Sequence, residues 1–444
     1  ALRVLKTYLS RGADIMAKTL IKDVKIFDGS GKKPASGEVL IQGNMIEKVA
    51  TGGKKIKERG VRVVEGGGHT LMPGLIEPHA HVTYPDCTDL ASVGQIPPED
   101  HMVISLKNAR RMLDQGFTAC FSAAGTSKIR LDVALRDAIN AGHFPGPRMR
   151  AASPEISSTG GLGDERLLHL HQESIGLIVD GPVEMRKAVR LCSREGVDNI
   201  KINISGDQFA RGAGMETLSF TQEEVAACVE TAAERGLTVA THARSDESIR
   251  VAMKNNINVL YHADLITPET IDLIEARKKR VFMAPAAGLI YTTIYEASDW
   301  GITEEMAEGL ELKRKLESCM KAYTELRKRG VRVMPGGDYG FAWNPIGTNA
   351  RDLEHFVNLF GYKETEVLRA ATQLGGELMN MNIGLVRDGY LADLLLVKGD
   401  PTRDVSILQD ADNLLMIMKD GVFHKEPQTK EIERQSEAAS AAAE

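Results

Sequence analysis

The segment Gly74-Leu75-Ile76-Glu77-Pro78-His79-Ala80-His81-Val82 places two imidazoles two residues apart on an apolar stretch typical of a β-strand. On a strand, residues i and i+2 share a face. Both rings can therefore reach one metal ion from a rigid support, as a hydrolytic metal site requires. A single His-x-His pair also arises by chance on protein surfaces, so its interpretation depends on the rest of the chain.

The length and composition are those of an ordinary globular protein. Its 444 residues predict one large barrel or two domains. The net charge of -6, with no stripe of basic residues, argues against a nucleic-acid partner. Five scattered cysteines without a Cys-x-x-Cys pair predict reduced thiols and a cytoplasmic location. No apolar run reaches the roughly 18 residues of a membrane-spanning helix, and no secretory signal is visible.

Both ends of the chain carry β-branched, strand-like patterns punctuated by glycine. These segments are residues 20–28, 37–50, 61–65, 392–398 and 414–424, with a hairpin turn at Lys419-Asp420-Gly421. We predict that residues 16–73 and 386–425 pair as one small β-sandwich domain. Residues 1–15 are interpreted as a leader or vector-derived segment before a natural start at Met16, and residues 426–444 as a frayed helix or disordered tail.

Between the two ends, short apolar strands alternate with longer helical stretches, which is typical of βα units around a parallel sheet. The eight candidate strands are Leu75–Val82, Phe117–Ala123, Arg148–Ser153, Asn199–Ile204, Leu237–Ala243, Val259–Ala263, Arg280–Ala284 and Val331–Gly336. The predicted fold class is therefore α/β, with a (β/α)8 TIM-like barrel over residues 74–385. Helices are expected at 221–235, led by a capping box of Thr221 and Glu224, and at 304–329, polar enough to lie outside.

Polar residues interrupt the ends of five of these strands. They are His79, His81, Lys201, His242, His262 and Asp338. Taken singly, a buried His is usually a hydrogen-bonded core residue, a lone Lys an ion-pair partner, and an Asp after Gly-Gly a helix N-cap. Barrel active sites, however, lie at the C-terminal ends of the strands. The joint placement of six such residues there predicts a metal site.

This set, together with the Leu71-Met72-Pro73-Gly74-Leu75-Ile76 approach to His-x-His, resembles the amidohydrolase superfamily over nearly the whole chain. The resemblance implies two divalent ions, zinc first, with cobalt or manganese as alternatives. His79, His81 and Asp338 would hold the more buried ion, and His242 and His262 the more exposed one. Lys201, carboxylated by carbon dioxide to N6-carboxylysine, would bridge them. Asp338 and His262 are the implied catalytic residues, and a homo-oligomer is the implied assembly.

The chemistry of these residues agrees with that assignment. An ammonium beside two dications would be strongly repelled, so Lys201 stays inward only if it is neutral or an anionic carbamate. Two metal ions lower the pKa of a water from about 15.7 toward roughly 7, which supplies hydroxide at neutral pH. Asp338 can take the proton and deliver it to the leaving amine.

Within the superfamily, the chain resembles the branch that contains ochratoxinase, Xaa-Pro dipeptidases, phenylurea hydrolases and molinate hydrolase. The shared segments are residues 134–142, 146–148 and 158–161. In peptide-cleaving relatives a His commonly follows the Thr-Gly-Gly segment and helps to hold the substrate carboxylate, whereas this chain has Leu162. Leu162 therefore favours a neutral substrate, while Arg244 argues the other way, since guanidinium binds carboxylates readily. The predicted substrate-binding residues are Tyr84, Leu162, Arg244, Tyr339 and Trp343.

The leading hypothesis is a hydrolase of small molecules that cleaves a C–N bond, other than a peptide bond, in a neutral amide, urea, carbamate or thiocarbamate. This is the chemistry of herbicide degradation by phenylurea and molinate hydrolases. The alternative is an Xaa-Pro-type dipeptidase or carboxypeptidase, or an ochratoxinase-like N-acyl amino acid hydrolase. A deaminase usually lacks the bridging Lys, so Lys201 argues against that class. A noncatalytic scaffold would tend to lose ligands, and here all six positions are filled.

Overall fold

The computed structural model describes residues 18–427, apart from residues 127 and 129. The predicted leader at 1–15 and the tail beyond residue 427 lie outside the described residues. The described residues divide into two compact units, one made of residues 18–76, 113–119 and 363–427 and the other of residues 77–112 and 120–362.

The strands are β1 (Lys18–Ile26), β2 (Ala35–Gln42), β3 (Met45–Thr51), β4 (Arg62–Glu65), β5 (Thr70–Pro73), β6 (Leu75–Ala80), β7 (Phe117–Ser122), β8 (Arg148–Arg150), β9 (Ala152–Ser157), β10 (Leu177–Ile178), β11 (Asn199–Asn203), β12 (Thr238–Ser245), β13 (Val259–Leu265), β14 (Phe282–Ala284), β15 (Arg332–Val333), β16 (Leu394–Val397), β17 (Leu414–Lys419) and β18 (Val422–Lys425). The α-helices are Leu90–Gly94, Pro98–Asp114, Leu131–Asn140, Pro182–Glu195, Gln222–Ala233, Asp246–Lys254, Pro268–Glu275, Ala287–Tyr295, Glu304–Gly309, Leu312–Lys328, Arg351–Phe360, Glu364–Arg369 and Gly375–Met379, with a π-helical turn at Ala370–Leu374 and 3₁₀ turns at Ser298–Trp300, Val405–Gln409 and Ala411–Asn413.

One mixed sheet forms the first unit, and its strands come from both ends of the chain. Its order is β18-β17-β16-β5-β1-β2-β3, with β4 also paired to β1. Because β16 pairs antiparallel with β5, the predicted pairing of the two chain ends is confirmed. Strand β1 bulges between Ile21 and Val24, pairing with β4 before the bulge and with β5 after it. The sheet thus branches at the bulge, which is consistent with the predicted β-sandwich.

The details of this sheet differ from the sequence pattern at two points. The strand-like segment at 37–50 contains two strands, the antiparallel pair β2 and β3. Residues 70–73, which the sequence pattern does not predict as a strand, form β5 in the middle of the sheet. The hairpin at Lys419-Asp420-Gly421 joins the antiparallel strands β17 and β18, with Asp420 and Gly421 at φ 53° and 71°. These are the left-handed angles that a two-residue hairpin turn favours.

Parallel pairing dominates the second unit. Every neighbouring pair in its sheet, of order β10-β9-β11-β12-β13-β14-β15, is parallel. Strands β6, β7 and β8 form a separate three-stranded sheet. The predicted third strand is split into β8 and β9, and β9 continues beyond the predicted end, to Ser157. No ladder joins β15 to β6 within the described part of the chain, so closure of the strands into a barrel stays a prediction.

The helices confirm one expectation and correct another. Thr221 and Glu224 form the predicted capping box at the start of the helix Gln222–Ala233. The predicted helix 304–329 is two helices that are separated at Glu311, where φ is 54°. The second of these helices does not lie wholly outside, because Lys315 is fully buried. No helix among the described residues is long and apolar enough to cross a membrane.

Candidate metal centre

The six predicted ligand residues line one cavity. All of them are at most 9 % exposed. They lie on or just after β6, β11, β12, β13 and β15: His79, His81, Lys201, His242, His262 and Asp338. Parallel strands end at the same edge of a sheet, which explains why residues so far apart in the sequence meet here.

His79, His81 and Asp338 form the tightest group of donors. One potential ligand atom from each lies within 4.8 Å of the others. Asp338 Oδ1 is 3.1 Å from His81 Nε2 and 3.7 Å from His79 Nε2. Both ring nitrogens of His79 are buried without a hydrogen-bond partner. Buried polar atoms are normally partnered, so these three residues fit a divalent metal ion.

A second group consists of His242, His262 and Lys201. The two imidazole ring centroids are 4.3 Å apart. His242 Nε2 lies 3.0 Å from the Gly206 carbonyl oxygen, and Nδ1 of His262 has no hydrogen-bond partner. Lys201 Nζ lies 4.7 Å from the centre of the Tyr261 ring. These three residues offer two imidazoles and one amine as potential ligands.

Burial sets the protonation of these groups. It lowers the pKa of His79 and His262 well below the usual value, and that of His242 to about 3. The imidazoles are therefore neutral at neutral pH, which is the form that binds metal ions. Burial also lowers the pKa of Lys201.

Unusual backbone geometry marks the last two strands of the site. His262 and Asp338 adopt φ angles of 74° and 59°. Such angles cost a non-glycine residue about 1–3 kcal/mol and cluster at functional sites.

Gly336 is required for close packing, since a Cβ there would lie 2.9 Å from His79 Cβ. The segment that carries Asp338 can therefore lie directly against the segment that carries His79.

Neighbouring residues hold His79 in position. Glu77 accepts hydrogen bonds from the His79 backbone N–H (3.0 Å) and from Asn349 Nδ2 (2.9 Å). The Tyr261 ring stacks on the His79 ring at 3.9 Å, and its hydroxyl donates to the Pro78 carbonyl oxygen at 2.9 Å. Such outer contacts orient metal ligands.

Arg244, a predicted substrate-binding residue, is engaged by carboxylates of the protein itself. It lines the cavity but is 1 % exposed. Its Nε donates to Asp207 and its Nη1 to Asp264, each at 2.5 Å. The charge of this guanidinium is thus compensated by two buried carboxylates. A role of Arg244 in substrate binding stays a prediction.

This geometry predicts a large loss of stability in Arg244→Ala. Removing one partner of a buried ion pair strands the other charge, so the free energy of unfolding should fall by about 3–5 kcal/mol. Urea denaturation in the presence of a chelator measures it without a contribution from bound metal. Arg250→Ala is the matched control, because its ion pair with Asp246 is partly exposed and exposed ion pairs contribute little to stability. A loss of less than about 1 kcal/mol in Arg244→Ala would contradict the structural role.

The other predicted substrate-binding residues separate into two groups. Tyr84 and Leu162 line the cavity. Tyr339 and Trp343 do not: Tyr339 is buried away from the cavity wall, and the Trp343 indole donates to Thr293 Oγ1 at 2.9 Å. Apolar residues on the wall that the sequence did not single out are Leu90, Phe209 and Leu289.

Glu155 is the polar cavity residue that sequence reasoning missed. The sequence pattern predicts that the third strand ends at Ser153, but β9 runs to Ser157 and carries Glu155 onto the wall. Pro154 interrupts the apolar pattern just before it, and proline is uncommon inside strands.

Comparisons with known proteins agree with this geometry. The model of the amidohydrolase family matches residues 70–423. Ochratoxinase of Aspergillus niger is 27 % identical over 378 residues, which cover 80 % of this chain and 76 % of that protein. A crystal structure of a Xaa-Pro dipeptidase with bound methionine in the active site is 26 % identical, with a TM-score of 0.79 over 92 % of this chain and all of that one.

A further solved structure, phenylurea hydrolase B, has a TM-score of 0.73 at 20 % identity, over 92 % of this chain and 96 % of that one. At that identity the likeness shows the fold alone. The family match covers most of the chain, and the His79, His81 and Asp338 site is the metal site expected of that family. This chain belongs to the amidohydrolase family and is a metal-dependent hydrolase that acts on C–N bonds.

Proposed function

We propose that the chain hydrolyses the amide bond between an acyl or aminoacyl group and an amino acid, as in N-acyl amino acids and Xaa-Pro dipeptides. The convergence of six metal-binding residues in one cavity carries the hydrolytic part of this proposal. The substrate class is supported by ochratoxinase and the Xaa-Pro dipeptidase, at 27 % and 26 % identity. The molinate and phenylurea hydrolases, at 17 % and 20 %, support the neutral-substrate hypothesis less.

The donor set fits two divalent ions, zinc first. His79, His81 and Asp338 would hold one, His242 and His262 the other, and Lys201 would bridge them as a carbamate. When bound, such ions lower the pKa of water from about 15.7 toward roughly 7 and polarise the substrate carbonyl. A homo-oligomer and a cytoplasmic location stay predictions.

The environment of Lys201 suits carboxylation. Burial lowers the pKa of its amine, outweighing the attraction of Glu155 and Asp338, so a larger fraction is neutral. A neutral amine can form an N–C bond to carbon dioxide and release one proton to water. The resulting carbamate is an anion with oxygen atoms, which metal ions bind far better than they bind an ammonium group.

Asp338 is placed to move the proton. Its Oδ1 lies 3.1 Å from His81 Nε2, within the group of atoms that would hold one metal ion. We assign Asp338 as the base that takes a proton from the attacking water and returns it to the leaving nitrogen. His262 lies beside this path as a metal ligand. The apolar wall formed by Leu90, Phe209 and Phe341 would hold the side chain of the substrate.

A substrate panel tests this proposal. We expect kcat/KM for Leu-Pro or N-benzoylphenylalanine to exceed that for 1,1-dimethyl-3-phenylurea or molinate by at least about tenfold, equivalent to about 1.4 kcal/mol of transition-state binding. The chelator-treated protein is the control, and zinc should restore its activity. The opposite preference would favour the neutral-substrate hypothesis, and hydrolysis of none of the four would contradict both.

A further inference from the structure

Glu155 places a carboxylate next to Lys201 inside the cavity. Strands β9 and β11 pair in parallel with Glu155 opposite Lys201, and both side chains line the same cavity. Glu155 is only 5 % exposed. A substrate seated over the metal ligands would therefore come close to this carboxylate.

Asn203 fixes the position of Glu155. Its Nδ2 donates to Glu155 Oε2 at 2.8 Å and to the Leu162 carbonyl oxygen at 3.1 Å. Asn203 thus links Glu155 to Leu162, which stands where peptide-cleaving relatives commonly have a carboxylate-binding His. Two basic residues line the cavity: Lys201, which lies opposite Glu155, and Arg244, which is bound by Asp207 and Asp264.

Glu155 has no ion-pair partner among the described residues at salt-bridge distance. The other acids of the cavity are engaged: Asp207 with Arg244 at 2.5 Å, and Asp338 with His81 at 3.1 Å. If Lys201 is a carbamate, it offers no positive charge either. A buried carboxylate without a basic side chain at salt-bridge distance is unfavourable, so an ammonium group brought by the substrate would be bound strongly.

We propose that Glu155, held by Asn203, binds the ammonium group of an aminoacyl substrate and so selects substrates with a free amine over those that lack it. This inference rests on the proposed amide hydrolysis and narrows it to aminoacyl compounds. Glu155 is then a substrate-binding residue, and Asn203 positions it.

Two substrates that differ only in the amine test the proposal: Leu-Pro and 4-methylpentanoyl-proline. Wild-type kcat/KM should favour Leu-Pro by at least about tenfold, as expected for a charge-assisted hydrogen bond. In Glu155→Gln, which keeps an acceptor for Asn203, kcat/KM for Leu-Pro should fall by about tenfold, mainly through KM, while the desamino substrate changes by less than about threefold.

Glu165→Gln is the matched control. Glu165 lies on the wall of the adjoining outer cavity, its Oε2 accepts from the Ile175 backbone N–H at 3.1 Å, and burial raises its pKa to about 7. The substrate preference should stay unchanged in this variant. An equal loss of kcat/KM for Leu-Pro in Glu155→Gln and Glu165→Gln would indicate a general effect of removing negative charge. That result would overturn the assignment of ammonium binding to Glu155.

Calorimetric binding to the zinc-loaded protein separates this inference from the proposed function. The wild type should bind 3-methylbutylammonium at least about tenfold better than 3-methylbutanol, and Glu155→Gln should lose that difference. If neither dipeptide analogue is cleaved, amide hydrolysis fails as the function while ammonium binding still tests Glu155. Equal wild-type kcat/KM for Leu-Pro and 4-methylpentanoyl-proline would overturn the proposal. A Glu155→Gln variant that loses kcat/KM equally for both substrates, and also loses bound metal, would overturn it as well.

Discussion

Lys201→Ala is expected to lower kcat by at least about 10³-fold, equivalent to about 4 kcal/mol of transition-state stabilisation, and to reduce the bound metal. The side chain is 1 % exposed and lies among imidazoles that burial keeps neutral. Without it, His242 and His262 would have to hold an ion without the bridging anion that the carbamate supplies. Steady-state kinetics and metal analysis by mass spectrometry measure both effects.

Chemical rescue distinguishes the bridging role from a loss of folding. Small carboxylates such as acetate and propionate fit the space left by the side chain, supply two oxygen atoms, and should restore part of the lost activity in Lys201→Ala. They should not stimulate the wild type. A variant that keeps two metal ions and the wild-type rate would show that Lys201 is not the bridge.

Asp338→Asn is expected to keep the fold but to lower kcat by about 10² to 10⁴, the usual contribution of a positioned general base or acid. Asparagine preserves the shape and an oxygen ligand but cannot take up a proton. Metal content should be measured on the same preparation, because a loss of metal would indicate that the ligand role dominates. A rate within about tenfold of the wild type would exclude Asp338 from the proton transfer.

The residues of the candidate metal centre could be predicted because each interrupts or ends an apolar strand. His242 and His262 follow the strand-like segments Val239-Ala240-Thr241 and Leu260-Tyr261. The shared direction of parallel strands then brings the residues to one edge. The pairing of the two chain ends was predictable from strand patterns of the same kind.

Side-chain partners across the fold could not be predicted. Arg244 looks like a free cation in the sequence, because Asp207 and Asp264 are 37 and 20 residues away from it. Lys315 lies in a polar helix, and only the structure shows its buried amine donating to Gln208. The sequence places Trp343 at the cavity because it follows Asp338 closely, but the loop turns its indole toward Thr293. Such outcomes depend on how the chain packs, which local periodicity does not encode.

The most direct test of the metal centre is anomalous scattering at the zinc edge from crystals grown with zinc and bicarbonate. The account predicts two peaks per chain, one bounded by His79, His81 and Asp338 and the other by His242 and His262, with additional density on Lys201 Nζ for a carboxyl group. A single peak beside an unmodified Lys201, or no peak among these residues, would contradict it.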